Sequence, residues 1–174
     1  MSLVQSIGLF WNEADVFWGR GSQPGAIYGL PANNVTADPI DFREQVGVYV
    51  LYADYDLIYV GQTGSGKSKL LNRLKQHRTD DLAGRWNKFS WFGLRRVLAS
   101  GELSNVNQAA HPELADVLNH IEAILIHAVE PPLNRQGGRF GEVVTRYLQW
   151  RDDRLPPTLE QMVLDIHRKV VDDT

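Results

Sequence analysis

The spacing of hydrophobic positions predicts two adjacent strands near residue 50. The runs VGVYVLY (46–52) and LIYV (57–60) are rich in β-branched and aromatic residues, which favour strands. Four residues, ADYD, separate the two runs, and this is too short for the crossover that parallel strands require. The sequence therefore predicts an antiparallel hairpin.

Apolar residues at helical spacing predict three helices. The first covers about 68–77, the second follows Pro112 and stops before 131, and the third begins near Thr158 with Gln161 completing a capping box. The apolar positions are Leu70, Leu71 and Leu74 in the first helix, Leu114, Val117, Leu118, Ile121, Leu125 and Ala128 in the second, and Leu159, Met162, Val163, Ile166 and Val170 in the third.

These elements predict a small mixed α/β fold, of the α+β kind, within a chain of 174 residues that has the length of one domain. The hairpin and a third strand at 88–97 form an antiparallel three-stranded sheet flanked by helices. Residues 46–135 are expected to be the core. Residues 1–45, rich in Gly, Pro and Asn, are expected to be an irregular extension, and 136–174 a helical extension packed on the core as an accessory.

Composition narrows the chemistry. The chain has no cysteine, which excludes disulfides, thiolate zinc sites and cysteine nucleophiles. Its apolar runs are too short to span a bilayer, and the segment 7–11 is too short for a signal sequence. We expect a cytoplasmic protein.

The distribution of charge points to a polyanionic partner. The chain has a formal net charge of −3, yet 67–96 holds nine basic and two acidic residues, a net charge of +7. Trp86, Phe89, Trp91 and Phe92 are interleaved with these basic residues, a pattern typical of nucleic-acid surfaces. The alternative is a solvated basic face above core aromatics.

A glycine-rich segment follows the second predicted strand. Gly61 to Ser68 reads GQTGSGKS, which matches the phosphate-loop pattern G-x-x-x-x-G-K-[ST]. A phosphate loop normally follows a strand of a parallel sheet, whereas this segment follows a tight hairpin. Nucleotide binding or ATPase activity through Gly61 to Ser68 is therefore kept as an alternative, and no nucleotide is expected.

The hairpin and the elements after it resemble the GIY-YIG nuclease family. Gly47-Val48-Tyr49 and, ten residues on, Tyr59-Val60-Gly61 resemble its paired signature, and the resemblance extends over about 46–134. It implies a hydrolase, a DNA endonuclease that needs Mg²⁺ or Mn²⁺, with DNA as its partner in restriction, defence or repair. It also allows a homodimer or a transient dimer on DNA.

The resemblance implies a catalytic set of Tyr49, Tyr59, Arg73, His77, Glu122 and Asn134. One tyrosine takes the proton of the attacking water, and Tyr59 is our choice. Arg73 and His77, four residues apart on one helix face, steady the phosphate. Glu122 holds the metal ion, and Asn134 orients the site by hydrogen bonds.

Glu122 also stands out on physical grounds. Its helical neighbours Leu118, Leu125 and Ile126 are apolar, so it interrupts an apolar stripe. A buried lone carboxylate is costly, so it must be paired, protonated or metal-bound, and Mg²⁺ binds carboxylate oxygens readily. A buried ion pair with Arg73 is the alternative.

The residues expected to bind the DNA backbone are Gln62, Lys67, Lys69, Arg78, Arg85 and Lys88. Gln62 departs from the family pattern, which often has lysine directly after the second motif, and Lys67 would substitute for it. The departure keeps open a third hypothesis, a DNA-binding module without catalytic activity.

Overall fold

The structure, a computed structural model, describes residues 3–64, 68–105, 114–130, 140 and 144–172. In these ranges the strands are β1 (Ser6–Asn12), β2 (Phe17–Arg20), β3 (Gln23–Ala26), β4 (Tyr28–Pro31), β5 (Ile40–Asp41), β6 (Gly47–Ala53), β7 (Asp56–Gln62), β8 (Lys88–Gly93) and β9 (Thr145–Trp150). The α-helices are α1 (Leu70–Gln76), α2 (Leu114–Val129) and α3 (Leu159–Asp172).

The main sheet has seven strands in the order β5-β4-β9-β1-β8-β6-β7, and β2 pairs with β3 in a separate ribbon. Only β1 and β9 run parallel among the described pairs. The prediction of a small three-stranded sheet is therefore wrong. The predicted hairpin is confirmed as β6 and β7, but with β8 it forms only one end of a larger mixed sheet.

The N-terminal region supplies the strands that sequence reasoning missed. Residues 1–45, expected to be irregular, contain β1 to β5, and β1 lies between β9 and β8 in the middle of the sheet. Two glycines in these strands lie beneath tryptophan rings. A Cβ on Gly8 would come within 2.2 Å of the Trp91 ring, and one on Gly29 within 2.6 Å of the Trp11 ring. These glycines make room for packing and do not mark loops.

Successive residues of β6 point to opposite faces of the sheet and define two cores. Tyr49 and Leu51 pack in one cluster with Leu70, Leu71 and Leu74 of α1. Val50 and Tyr52 belong to the other cluster, with Ala123 and Ala128 of α2. Helices α1 and α2 therefore cover opposite faces.

The aromatic residues of the basic segment belong to these cores. Trp86, Phe89, Trp91 and Phe92 are all buried. Of the two interpretations left open by the sequence, their burial favours core aromatics beneath a basic face, and alternate residues of β8 pack on the two faces of the sheet.

The capping box of the third helix is confirmed. The Thr158 backbone N–H donates to Gln161 Oε1 at 2.8 Å, and the Gln161 N–H donates to Thr158 Oγ1 at 3.2 Å. However, α3 does not pack on the core as expected, since every side chain from 159 to 169 is exposed. The segment 136–174 also contributes β9 to the main sheet, which was not predicted.

Among the described residues, no helix has both the length and the apolar character needed to cross a membrane.

Candidate active site

The hairpin places two tyrosines side by side on the α1 face. Tyr49 of β6 is fully buried, Tyr59 of β7 is partly buried, and their ring centroids lie 6.2 Å apart. Gly61 pairs with Tyr49 across the hairpin, and a Cβ on Gly61 would lie 2.3 Å from the Tyr49 hydroxyl oxygen. The glycine of the second motif is therefore required by the tyrosine of the first.

The glycine of the first motif has its own structural reason. Gly47 has a φ of +145°, and a Cβ there would lie 2.0 Å from the Phe92 carbonyl oxygen. A larger residue would strain the backbone and push β6 away from β8. The position of Tyr49 two residues later depends on this close pairing.

His77 ends α1 and contacts both tyrosines. Its Nε2 lies 2.7 Å from the Tyr49 hydroxyl, and its ring centroid lies 4.8 Å from that of Tyr59. Its Nδ1 lies 2.7 Å from Asp80 Oδ2, and its carbonyl accepts a hydrogen bond from Trp86 Nε1 at 3.2 Å. Because an ionised carboxylate only accepts, Nδ1 carries the proton in the neutral ring and Nε2 accepts from Tyr49.

Arg73 lies one helical turn before His77, beside both tyrosines. Burial raises the pKa of Tyr49 to about 12, and the neighbouring Arg73 guanidinium opposes this rise. The Tyr49 hydroxyl in turn is the main cause of the raised pKa of Arg73. Arg73 Nη1 donates to Gln76 Oε1 at 2.8 Å, while its buried Nε makes no hydrogen bond within the described residues. A partly exposed cation beside two hydroxyls suits a phosphate oxygen.

Asp80 was not predicted to be a site residue. In the sequence it was one of the two acidic residues of the basic segment 67–96. Asp80 Oδ1 accepts the Leu82 N–H at 2.9 Å while Oδ2 contacts His77. The Leu82 N–H first, and His77 second, lower the pKa of this carboxyl. The sequence contained one indication of this contact. An acidic residue three positions after a histidine that ends a helix lies close enough to contact the histidine ring.

Glu122 lies outside this group. Its side chain is exposed, and it belongs to α2, which packs on the opposite face of the sheet from Tyr49. The prediction that it interrupts a buried stripe is wrong, because Leu125 is 57% exposed and the residues that face the sheet include Ala123 and Ala128. Small alanines allow the helix to approach the sheet, which turns the larger residues outward.

The resemblance implies a metal ion at Glu122, and the described residues do not fit one beside the tyrosines. Within the described ranges no group of three or more His, Asp or Glu side chains converges as a metal site. Asn134, the other residue expected to shape this region, lies outside the described residues. We therefore assign no chemical step to a metal ion.

Two of the expected DNA-binding residues are engaged with the N-terminal region. Arg78 Nε lies 2.7 Å from Glu13 Oε1, and its guanidinium lies 4.5 Å from the Trp18 ring centroid. Lys88 Nζ donates to Asn12 Oδ1 at 2.6 Å. These contacts tie α1 and β8 to the first strands, so the two cations have structural roles in addition to any role with DNA.

The remaining expected contacts are more open. Gln62 and Arg85 are exposed, Lys69 is half-buried at the start of α1, and Lys67 lies outside the described residues. The glycine-rich segment that contains Lys67 follows β7, an edge strand paired antiparallel with β6. The described part of the segment therefore lacks the parallel-sheet setting of a phosphate loop.

Comparisons of the chain with protein-family models, curated proteins and solved structures gave no match.

Proposed function

We propose that this protein is a DNA endonuclease that hydrolyses phosphodiester bonds at the α1 face of the hairpin. The observation that carries the proposal is the arrangement of Arg73 beside Tyr49 and Tyr59, with His77 hydrogen-bonded to Tyr49 and to Asp80. A fixed cation, an accessible phenol and a hydrogen-bonded imidazole are the groups that phosphate binding and proton transfer need.

Arg73 binds the scissile phosphate in this proposal. Its side chain is supported by Gln76 and is partly exposed, so its guanidinium can hold a phosphate oxygen and stabilise the charge that grows there. The exposed cations nearby follow the backbone without reading bases, and binding weakens as salt rises.

Tyr59 is the base that we favour. It is partly exposed, so water reaches it, whereas Tyr49 is fully buried and its raised pKa keeps it protonated. The step requires the phenolate of Tyr59, to which the water gives its proton as the water oxygen forms a bond to phosphorus. The phosphorus–oxygen bond to one sugar breaks, and the departing oxygen takes a proton from solvent. Arg73 carries the positive charge that a phenolate needs beside it.

Asp80 and His77 act as positioning residues for the two phenols. Asp80 fixes the His77 ring so that Nε2 accepts from Tyr49, and the edge of this ring packs against Tyr59. Hydrogen bonds between Asp80 and His77 and between His77 and Tyr49 hold the imidazole and the Tyr49 ring in one orientation.

The requirement for Mg²⁺ or Mn²⁺ and the role of Glu122 remain proposals that rest on the family resemblance. A cytoplasmic location remains a proposal that rests on the composition of the sequence. The exposed position of Glu122 favours a second candidate function, a DNA-binding module that has lost cleavage. Retained DNA binding without cleavage in any divalent metal would support this second function.

The test is cleavage of supercoiled plasmid by the purified chain, with Mg²⁺, with Mn²⁺ and with EDTA. We expect Tyr59→Phe to lose cleavage by about 100-fold or more, which is the usual contribution of a general base. The proposal fails if wild type and Tyr59→Phe cut equally or if neither cuts. Loss of cleavage in Glu122→Ala would indicate a site that includes α2. Cleavage equal to that of wild type would indicate a site confined to the α1 face.

A further inference from the structure

Helix α3 exposes its apolar side chains to solvent. Leu159 is 79% exposed, Val163 58% and Ile166 62%. The helix has its own capping box, so its start is fixed locally and does not depend on packing against the sheet. A helix of 14 residues is marginal in water without a packed apolar face. Its stripe therefore needs a partner surface.

The orientation of α3 shows that the stripe faces away from the other described residues. Gln161, Leu164, Asp165 and Arg168 line a groove together with residues between 150 and 157. At 3.6 residues per turn these four positions lie on the opposite side of the helix from Leu159, Val163 and Ile166. The more polar side is turned toward the body of the protein, and the apolar side is turned outward.

The spacing of the stripe is that of a helix-to-helix seam. Leu159, Val163 and Ile166 are separated by four and then three residues, and Val170 continues the pattern in the sequence. A membrane surface is a poor fit, because the polar side carries both Asp165 and Arg168 and is not predominantly basic. A second helix with the same spacing fits best.

We propose that α3 pairs antiparallel with α3 of a second copy of this chain. In that arrangement the two-fold axis passes between Val163 and Ile166, so each Val163 packs on Ile166 of the other copy. Glu160 and His167 lie on the same flank of the stripe. An antiparallel pair places Glu160 of one copy beside His167 of the other, twice, and aligns the helix dipoles favourably.

A parallel pair lacks this complementarity. It places Met162 of one copy beside His167 of the other and leaves Glu160 without a partner across the seam. The antiparallel pair is isologous and closes at two copies, as a parallel two-fold pair would, so the flanking side chains decide between the two. It does not rest on the proposed nuclease function, although a dimer would bring two candidate sites to one DNA duplex.

The first test is sedimentation of the full chain over a dilution series. Ile166→Asp should raise the dissociation constant of the dimer by about 100-fold or more, because each dimer loses two buried isoleucine side chains. Leu164→Asp, on the opposite side of α3 and outside the capping box, is the matched control and should leave the dimer unchanged. A monomeric wild type, or a dimer that survives Ile166→Asp, would overturn the proposal.

The second test determines whether the two helices run parallel or antiparallel. The chain has no cysteine of its own, so each variant carries a single cross-linking site. In the antiparallel pair the two copies of residue 163 lie about 4.5 Å apart along the axis, and the two copies of residue 159 about 16 Å apart. A short bifunctional maleimide should therefore cross-link Val163→Cys efficiently and Leu159→Cys poorly. Equal cross-linking of the two variants would exclude the antiparallel arrangement.

Discussion

Tyr49 and Tyr52 lie three residues apart on β6, and both are fully buried with the pKa raised by burial. Their partners differ. The Tyr49 hydroxyl meets His77 Nε2 at 2.7 Å, beside Arg73, whereas the Tyr52 hydroxyl donates to the Ala128 carbonyl at 2.9 Å. A carbonyl oxygen only accepts a hydrogen bond, while an imidazole can also take up a proton.

The comparison shows that the helix behind each face decides what a buried tyrosine can do. Helix α1 places a guanidinium and an imidazole beside Tyr49, whereas α2 meets the Tyr52 hydroxyl with the backbone carbonyl of Ala128. The α1 face can therefore bind an anion and position a proton, and the contact at Tyr52 on the α2 face contributes to stability alone.

Removal of each hydroxyl should have different consequences. We expect Tyr49→Phe to lower the rate of plasmid cleavage by about 100-fold, because His77 loses the group that orients it beside Tyr59. Tyr52→Phe should lower the free energy of unfolding by about 1 kcal/mol and leave cleavage within about threefold. Rates and urea unfolding of both variants would check this. Equal loss of cleavage in both variants would break the comparison.

The positioning role of Asp80 predicts a smaller loss of cleavage for Asp80→Asn than for Tyr49→Phe. Substitution of the neighbouring Asp81 should not cause this loss. Asp80→Asn should lower kcat by about 10-fold and change KM for DNA little, because it affects positioning and not phosphate binding. Nitrogen NMR of the His77 ring should show the proton on Nδ1 in wild type and a mixture of tautomers in Asp80→Asn. A ring unchanged in Asp80→Asn, or an equal kcat loss in Asp81→Asn, would contradict this role.

Gly61 offers a steric test of the tyrosine site. Gly61→Ala should lower the free energy of unfolding by about 1–3 kcal/mol, because the new Cβ collides with the Tyr49 ring. The control is Val60→Ala on the same strand, since Val60 is exposed and lies on the other face. Its loss should stay within about 1 kcal/mol, measured by urea unfolding. Equal losses would remove the steric role of Gly61.

Tyr49 and Tyr52 both have a pKa raised by burial, so both should affect stability at alkaline pH. The pKa of Tyr49 is raised to about 12, so the unfolded chain ionises first and stability falls as pH rises from the ordinary tyrosine pKa of about 10 toward 12. Tyr49→Phe and Tyr52→Phe should each make this fall less steep, by up to about 1.4 kcal/mol per pH unit. Urea unfolding above pH 9.5 measures the two slopes. Slopes equal to that of wild type in both variants would contradict the raised pKa values.

Local features could be predicted from the sequence. The hairpin follows from two apolar strands and a four-residue turn, and the start of α3 follows from Thr158 and Gln161. Both are decided by neighbours in the chain. The contact between Tyr49 and His77 could also have been predicted. A helix that follows a hairpin directly in the sequence has few ways to pack on it.

Long-range features could not be predicted. The Gly, Pro and Asn content of residues 1–45 suggested irregular structure, but Gly8 and Gly29 lie in strands, where Trp91 packs over Gly8 and Trp11 over Gly29. Glu122 has apolar neighbours at helical spacing, yet which side of α2 meets the sheet depends on the small size of Ala123 and Ala128. Local patterns do not specify which strands and helices become neighbours.

The central claim is that the chemistry takes place on the α1 face around Arg73. Single-turnover cleavage of a labelled DNA duplex by wild type, Arg73→Gln and Arg96→Gln tests it most directly, since Arg96 is an exposed cation of the same basic segment. We predict a loss of about 100-fold or more for Arg73→Gln and a change within about threefold for Arg96→Gln. Equal rates for wild type and Arg73→Gln, or equal losses in the two variants, would contradict the account.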